Sequence, residues 1–276
     1  MYDTLIEPKV LFDNLNNSNW CTIDCRASLT DLRFGRDAHA AGHVPGAVFA
    51  DLATDLSGPV IPKVSGRHPL PAPATLAATF GRWGIDGDTQ VVVYDAANGA
   101  TAARAWWLLR WLGHPAVAVM NGGLSAWQAE GYPLRGGEER RVGRRFPVRA
   151  TLTRSVSVED IIERSATMDL VDARAEARFR GEVEPIDPVA GHIPGARCLP
   201  FEGNLDDRNR FVAADALRRR FEGAVSGKEL VCYCGSGVTA CHNILAMRHA
   251  GLPEATLYPG SFSEWIQDPR RPVERC

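Results

Sequence analysis

The chain repeats itself, and that limits the folds open to it more than any other feature. Ala41-Gly42-His43-Val44-Pro45-Gly46-Ala47 returns 149 residues later as Ala190-Gly191-His192-Ile193-Pro194-Gly195-Ala196. Three more pairs keep the same order. Ile23-Asp24-Cys25-Arg26 matches Val171-Asp172-Ala173-Arg174. Val91-Val92-Val93-Tyr94-Asp95 matches Leu230-Val231-Cys232-Tyr233-Cys234. Gly122-Gly123-Leu124-Ser125-Ala126-Trp127 matches Gly260-Ser261-Phe262-Ser263-Glu264-Trp265. The offsets of these pairs drift from 148 to 139 and 138. The second copy is therefore about ten residues shorter, across the stretch that corresponds to residues 52–71. Four blocks in one order point to a duplicated domain.

Length agrees with that reading: 276 residues at ~100–200 residues per domain is two domains. Hydrophobic residues at 45% and charged residues at 23% exclude a disordered chain, a coiled coil and a collagen-like repeat. A net charge of −2 gives no global basic field, so neither nucleic acid nor a membrane is expected as a partner. No apolar run is long enough to span a bilayer. The N-terminus shows no basic segment followed by an apolar core, so the chain is read as cytoplasmic. Seven cysteines are too few for a disulfide scaffold and odd in number, which fits a reducing compartment. Only three of the basic residues are lysines, Lys9, Lys63 and Lys228, and none is placed for Schiff-base chemistry. Residues 135–154 carry seven arginines with glycine and proline and no apolar period. They read as a solvated linker between an N-terminal domain, 1–134, and a C-terminal domain, 155–276.

Each copy alternates strand and helix signals. Residues 20–24 and 169–172 read as short strands, and 90–94 and 229–233 as buried parallel strands rich in β-branched residues. Residues 102–112 and 238–250 have helical apolar spacing, and Gly113 and Gly251 suit the position that ends a helix. Residues 115–120 and 255–258 are the next strands. Strand–helix–strand order with short connections predicts an α/β fold: two tandem doubly wound domains, each a parallel sheet with helices on both faces.

The copies differ where chemistry is expected, beyond the carboxyl ends of the strands. The first reads Tyr94-Asp95-Ala96-Ala97-Asn98-Gly99. The second reads Tyr233-Cys234-Gly235-Ser236-Gly237-Val238-Thr239. Gly235 and Gly237 let the backbone curl, so that successive N–H groups form an anion nest. The helix that starts near Val238 or Thr239 adds positive partial charge. Both features favour a Cys234 thiolate. Cys21, Cys25, Cys198, Cys232 and Cys241 read as small buried apolar groups, with a redox pair of Cys232 and Cys241 as an alternative. Cys232-Tyr233-Cys234 lacks metal-ligand spacing, and Cys241-His242 has no second ligand pair. No metal or cofactor is expected.

These features together resemble a tandem rhodanese-domain sulfurtransferase. The two Gly-His-Val/Ile-Pro-Gly-Ala segments, the two Asp-x-Arg strand ends and the single cysteine loop carry the resemblance, which covers nearly the whole chain. The loop from Cys234 to Thr239 is similar to the 3-mercaptopyruvate branch. It lacks the basic residues with which thiosulfate-using members bind their dianion. The resemblance implies that Cys234 takes sulfur from a small donor as a persulfide and passes it to a thiol, thioredoxin or cyanide. It implies Arg178, in Arg178-Phe179-Arg180-Gly181, as the donor's carboxylate ligand, because a guanidinium grips a carboxylate with two bonds. The loop residues Gly235, Gly237, Val238 and Thr239 complete the donor site. The chain departs from the family at Glu184-Pro185-Ile186-Asp187, where Ile186 stands in place of a second arginine. Arg180 is the substitute within reach of sequence reasoning. The resemblance also implies a proton relay of Ser236, His68 and Asp55, with Asp51 as the alternative carboxylate. That relay places the site at the domain interface. His43 and His192 occur in both copies and read as structural.

Two rivals lie outside the class, and one inside it. A phosphatase on this fold needs an arginine six residues after the cysteine, where Ala240 stands. A non-turnover sulfur carrier or regulatory module would keep Cys234 but stop at one equivalent of sulfur. Thiosulfate:cyanide sulfurtransfer is the alternative within the class.

Overall fold

The buried β-branched runs become parallel strands in a computed structural model that describes residues 1–224 and 227–276. The chain packs as two units that do not follow chain order. One comprises residues 1–58, 71–152 and 207–210. The other comprises residues 59–70, 153–206 and 211–276.

In the first unit the strands are β1 (Leu5–Ile6), β2 (Trp20–Asp24), β3 (Val48–Phe49), β4 (Gln90–Tyr94) and β5 (Val117–Met120), in the order β1-β5-β4-β2-β3. Every pairing is parallel. The core gathers Val92, Tyr94, Ala118 and Met120 from the strands with Ile6, Leu11, Leu124 and Trp127. The arginine-rich stretch packs along this unit: Arg135 and His43 exchange backbone hydrogen bonds, and the Arg144 and Arg149 amides donate to Gly81 and Leu112 carbonyls.

The second unit repeats the plan with β6 (Met168–Asp172), β7 (Arg197–Cys198), β8 (Glu229–Tyr233) and β9 (Thr256–Leu257), in the order β7-β6-β8-β9 and again all parallel. A lone parallel bridge from Ser155 to Leu257 stands where β1 stands in the first sheet. Val231, Tyr233, Tyr258, Phe262 and Trp265 form the core with Val156, Ile161 and Ile193. In each sheet the chain runs outward from β2 or β6, then returns to the other side with β4 or β8. The switch point, where such sheets hold their ligands, therefore lies beyond β4 in one unit and β8 in the other.

The repeated motifs are structural latches. Arg26 pairs with Asp24 at 2.6 Å and donates to the Gly42 carbonyl at 2.7 Å; Arg174 pairs with Asp172 at 2.7 Å and donates to the Gly191 carbonyl at 2.7 Å. All four side chains are buried. His43 and His192 are buried and hydrogen-bonded through Nδ1 to the backbone carbonyls of His39 and Phe179. The next amides, Val44 and Ile193, donate to the hydroxyls of Tyr94 and Tyr233, both at 3.2 Å. The histidines thus tie the glycine-proline loops to the preceding helices, and the next amides tie them to the sheets. Among the described residues, no helix is long and apolar enough to cross a membrane.

Candidate active site

Strand β8 ends at Tyr233, and Cys234 opens the loop beyond it. Gly237 has φ +76°, and a Cβ there would lie 2.3 Å from the Pro259 carbonyl oxygen. Only glycine meets both conditions. The turn aims the Gly237 N–H at Cys234 Sγ, 3.2 Å away. The helix Ala240–His249 follows with Thr239 as its cap, so its positive end faces the same loop. Val238 and Thr239 belong to the loop rather than to the helix. The Cys234 side chain is buried, at 2% exposure.

The helix Ser261–Trp265 braces this loop. The Phe262 and Ser263 amides donate to the carbonyls of Cys234 and Gly235 at 3.0 and 2.9 Å. The Cys234 N–H donates to Ser261 Oγ at 3.1 Å, and that hydroxyl donates to the Tyr258 carbonyl. Ser261 adopts φ +56°, a left-handed conformation that costs a non-glycine residue about 1–2 kcal/mol. Its counterpart in the first copy is Gly123, at φ +55°. A serine held where the repeat places a glycine is a signal of function. Sequence reasoning aligned the two residues but gave Ser261 no role.

Residues 59–70 belong to this unit. Gly66 fits against the Gly260 carbonyl so closely that a Cβ would lie 2.4 Å from the oxygen. The Arg67 amide donates to Ser263 Oγ at 3.1 Å. This docking brings His68 Nδ1 to 2.8 Å from Ser236 Oγ, with both residues buried. Both residues of the pair belong to the second unit.

Cations reach the loop from outside it. A Cβ on Gly235 would lie 2.8 Å from Arg67 Nη2 and 3.7 Å from both terminal nitrogens of Arg178. Arg178 grips Glu184 with two bonds, at 3.1 and 2.7 Å, and reaches Asp187 at 3.2 Å. Arg67 Nη1 pairs with the other oxygen of Asp187. Burial raises the Glu184 carboxyl, but Arg178 and the amides of Asp187 and Ile186 outweigh it and hold the group below its usual range. Burial pushes the Asp187 carboxyl up, and Glu184 adds to the shift against the opposing pull of Arg67 and Arg178. Sequence reasoning missed Arg67, although it is the immediate neighbour of His68.

Two expected residues are held by other partners. Arg180 is half exposed and ion-paired with Glu176 and Glu182. Asp55 lies in the first unit; its carboxylate accepts the Asp51 amide at 3.0 Å and lies 3.8 Å from Arg82. Of the cysteines expected to pack as apolar groups, Cys21, Cys25, Cys232 and Cys241 are buried and Cys198 is half-buried. Burial pushes the thiols of Cys21 and Cys198 up to about 12 and that of Cys232 higher still. None of these three is a thiolate at neutral pH.

A family model for the rhodanese-like domain matches residues 7–130 and again residues 156–268. The chain belongs to the rhodanese family. It is 49% identical, over 98% of its length and 97% of the relative's, to a probable 3-mercaptopyruvate sulfurtransferase of Pseudomonas aeruginosa. It is 40% identical, over 90% of each chain, to a putative thiosulfate sulfurtransferase of Mycobacterium tuberculosis. The solved structure of the 3-mercaptopyruvate sulfurtransferase from Leishmania major superposes with a TM-score of 0.84 at 33% identity, covering 95% of this chain and 74% of that one. This rhodanese-family chain is a sulfurtransferase, an enzyme that acts on small sulfur donors.

Proposed function

We propose that the protein moves sulfur from 3-mercaptopyruvate through a persulfide on Cys234 to a thiol, thioredoxin or cyanide. The observation that carries the reading is the Gly237 N–H aimed at Cys234 Sγ. It gives the sulfur of the cysteine beyond β8 a fixed hydrogen-bond donor. In the first step the Cys234 thiolate attacks the donor's sulfur. The new S–S bond forms as the C–S bond breaks, and the C–S electron pair passes to carbon as the enolate of pyruvate. A proton then completes pyruvate. Ser236, hydrogen-bonded to His68, is placed to relay that proton. In the second step the acceptor attacks the outer sulfur and returns Cys234 to the thiolate.

The donor assignment draws on the names of the Pseudomonas and Leishmania relatives and on Arg178 beside Gly235. The name of the Mycobacterium relative and a second guanidinium near the loop support thiosulfate as the rival, since a sulfonate also suits paired cations. A paired steady-state assay separates them: kcat/KM for 3-mercaptopyruvate against kcat/KM for thiosulfate, with cyanide as common acceptor. A preference for mercaptopyruvate is expected, and a preference for thiosulfate reassigns the donor. Arg178→Ala is expected to raise KM for mercaptopyruvate more than for thiosulfate. Equal effects on the two donors remove its carboxylate role.

A further inference from the structure

Beside the bracing helix Ser261–Trp265 lies a cavity of about 770 Å³, a volume typical of small-molecule sites. Its whole wall belongs to the second unit, and neither Cys234, Ser236, His68 nor Arg178 lines it. Val64, Leu70, Val156 and Val158 supply apolar wall; Tyr258, Glu264 and Arg271 supply polar wall. These polar groups are unspent. Tyr258 is fully buried, yet its hydroxyl has no hydrogen-bond partner among the described residues. The charges that act on it, Glu264, Arg271 and Glu159, all line the cavity. Arg271 gives Nη1 to the backbone carbonyls of Glu264 and Trp265 at 2.9 and 3.3 Å, and its Nε is buried without an acceptor. Neither Arg271 nor Glu264 makes an ion pair among the described residues. Burial pushes the Glu264 carboxyl up, and Glu159 adds to the shift against the pull of Tyr258 and Arg271. Two further carboxylates of the wall are engaged: Asp160 accepts the Ser157 amide at 2.8 Å, and Asp268 pairs with Arg270 at 2.8 Å. Buried polar groups are as a rule hydrogen-bonded. Two donors without an acceptor, beside a carboxylate without a cation, fit a ligand that brings both.

We propose that this cavity binds a free α-amino acid with an apolar side chain: its ammonium on Glu264, its carboxylate on Arg271 and Tyr258, and its side chain against Val64, Leu70, Val156 and Val158. An α-amino acid carries its two opposite charges on one carbon, which suits neighbours as close as Glu264 and Arg271. Binding there does not depend on which donor supplies the sulfur. The cavity also touches the contact that delivers His68. Its wall includes Gly66 and Gly260, and the Glu264 carboxylate lies over Gly260, where any Cβ would overlap Oε2. The group that meets the ammonium therefore packs on that contact too.

The test is calorimetric and uses the full chain. L-Leucine and L-methionine are titrated in, with 4-methylpentanoate and L-leucinamide as ligands that lack the ammonium or the carboxylate. Both amino acids are expected to bind one per chain with a Kd of about 1 mM or tighter. Each control is expected to bind about tenfold or more weakly, the scale of a lost charged hydrogen bond. No binding by either amino acid overturns the site, and equal affinity for the amino acids and both controls overturns the charged recognition. Glu264→Gln is expected to weaken L-leucine about tenfold, and Tyr258→Phe about fivefold; unchanged affinity in both overturns the assignment. Tyr258→Phe is also the folding control. It removes a hydroxyl with no partner, so its Tm is expected to be no lower than that of the unchanged protein. A large fall in Tm would show that the hydroxyl is already satisfied and is no ligand donor. Cys234→Ser is expected to bind L-leucine as the unchanged protein does; a loss of affinity there moves the ligand to the catalytic loop and overturns the separate site. Amide hydrogen exchange locates the ligand. Exchange in residues 64–70 and 258–264 is expected to slow at saturation, and unchanged exchange in both segments overturns the cavity as the place of binding.

Discussion

The loops at Asp95 and Cys234 are the same structure put to two uses. Each follows the strand at its sheet's switch point, β4 or β8. Each is braced by a short helix: Leu124 and Ser125 amides donate to the carbonyls of Asp95 and Ala96, just as Phe262 and Ser263 amides donate to those of Cys234 and Gly235. Each directs backbone N–H groups at one buried side chain, several at Asp95 and that of Gly237 at Cys234. In the first unit the Asp95 carboxylate accepts from the amides of Ala97, Gly99, Thr101 and Ala102 and from the Thr101 hydroxyl. An anion built into the chain has filled the nest. In the second unit the side chain at the matching position is a thiol, and it accepts from the Gly237 N–H. A backbone cradle for negative charge is thus a property of the fold, whereas reactivity depends on what occupies the cradle.

The largest expected effect comes from removing the occupant that reacts. Cys234→Ser should abolish sulfur transfer to every acceptor, since a hydroxyl cannot form the persulfide. Residual turnover above background would end the comparison. Gly237→Ala comes next. It places a side chain at φ +76° and against the Pro259 carbonyl, so the N–H aimed at Sγ must move. A loss of about tenfold or more in kcat/KM is expected, and full activity would make that hydrogen bond irrelevant. His68→Ala and Ser236→Ala should each lower kcat with mercaptopyruvate by about a hundredfold, the usual scale for a positioned proton carrier. The double variant should be no worse than either single one, because one pair is being removed; additive losses would mean two separate roles. Asp95→Ala should act on stability alone. It strips a common acceptor from the buried or half-buried amides of Ala97, Gly99, Thr101 and Ala102, which costs about 3 kcal/mol after partial rehydration. At roughly 2–4 °C per kcal/mol that lowers Tm by roughly 6–12 °C. An unshifted Tm in a thermal melt would show that the carboxylate is not the keystone of its loop.

What could be read in the sequence was whatever depends on near neighbours. Trp20–Asp24, Gln90–Tyr94 and Glu229–Tyr233 are strands with the expected bounds, because buried parallel strands are continuous β-branched runs between polar ends. Gly113 and Gly251 end their helices at φ +84° and +70°. The helix expected from residue 238 starts at Ala240, since the turn at Gly237 holds Val238 and Thr239 in the loop. Residues 255–258 pair only at Thr256–Leu257; the next residues are drawn into the brace around Ser261. The remainder depends on segments far apart in the chain. Neither composition nor spacing shows that Gly66 packs on Gly260, and that contact is what delivers Arg67 and His68 to the loop. The likeness to other sulfurtransferases brought His68 to notice, but it gave no reason to look one residue earlier, at Arg67.

The smallest expected effect tests the comparison most severely. If a nest of N–H groups were enough, Asp95→Cys in the Cys234→Ser background would move the reactive centre into the first unit. The cradle there has at least as many donors as the working one, and the substituted residue would sit at the same point beyond its strand. Yet no gain in turnover with mercaptopyruvate is expected. The loop offers Ala96 and Ala97 where the other has Gly235 and Ser236. At the positions that match Gly260 and Ser261 it carries Gly122 and Gly123, so no hydroxyl stands where Ser261 takes the Cys234 amide. A thiol placed there meets a stabilising backbone but lacks the serine that accepts or relays a proton. Turnover restored above the Cys234→Ser level would show that the backbone cradle alone makes a sulfurtransferase. A flat result would show that duplication supplied the cradle twice, and that Ser236, His68 and the arginines beside Gly235 turned one copy into an enzyme.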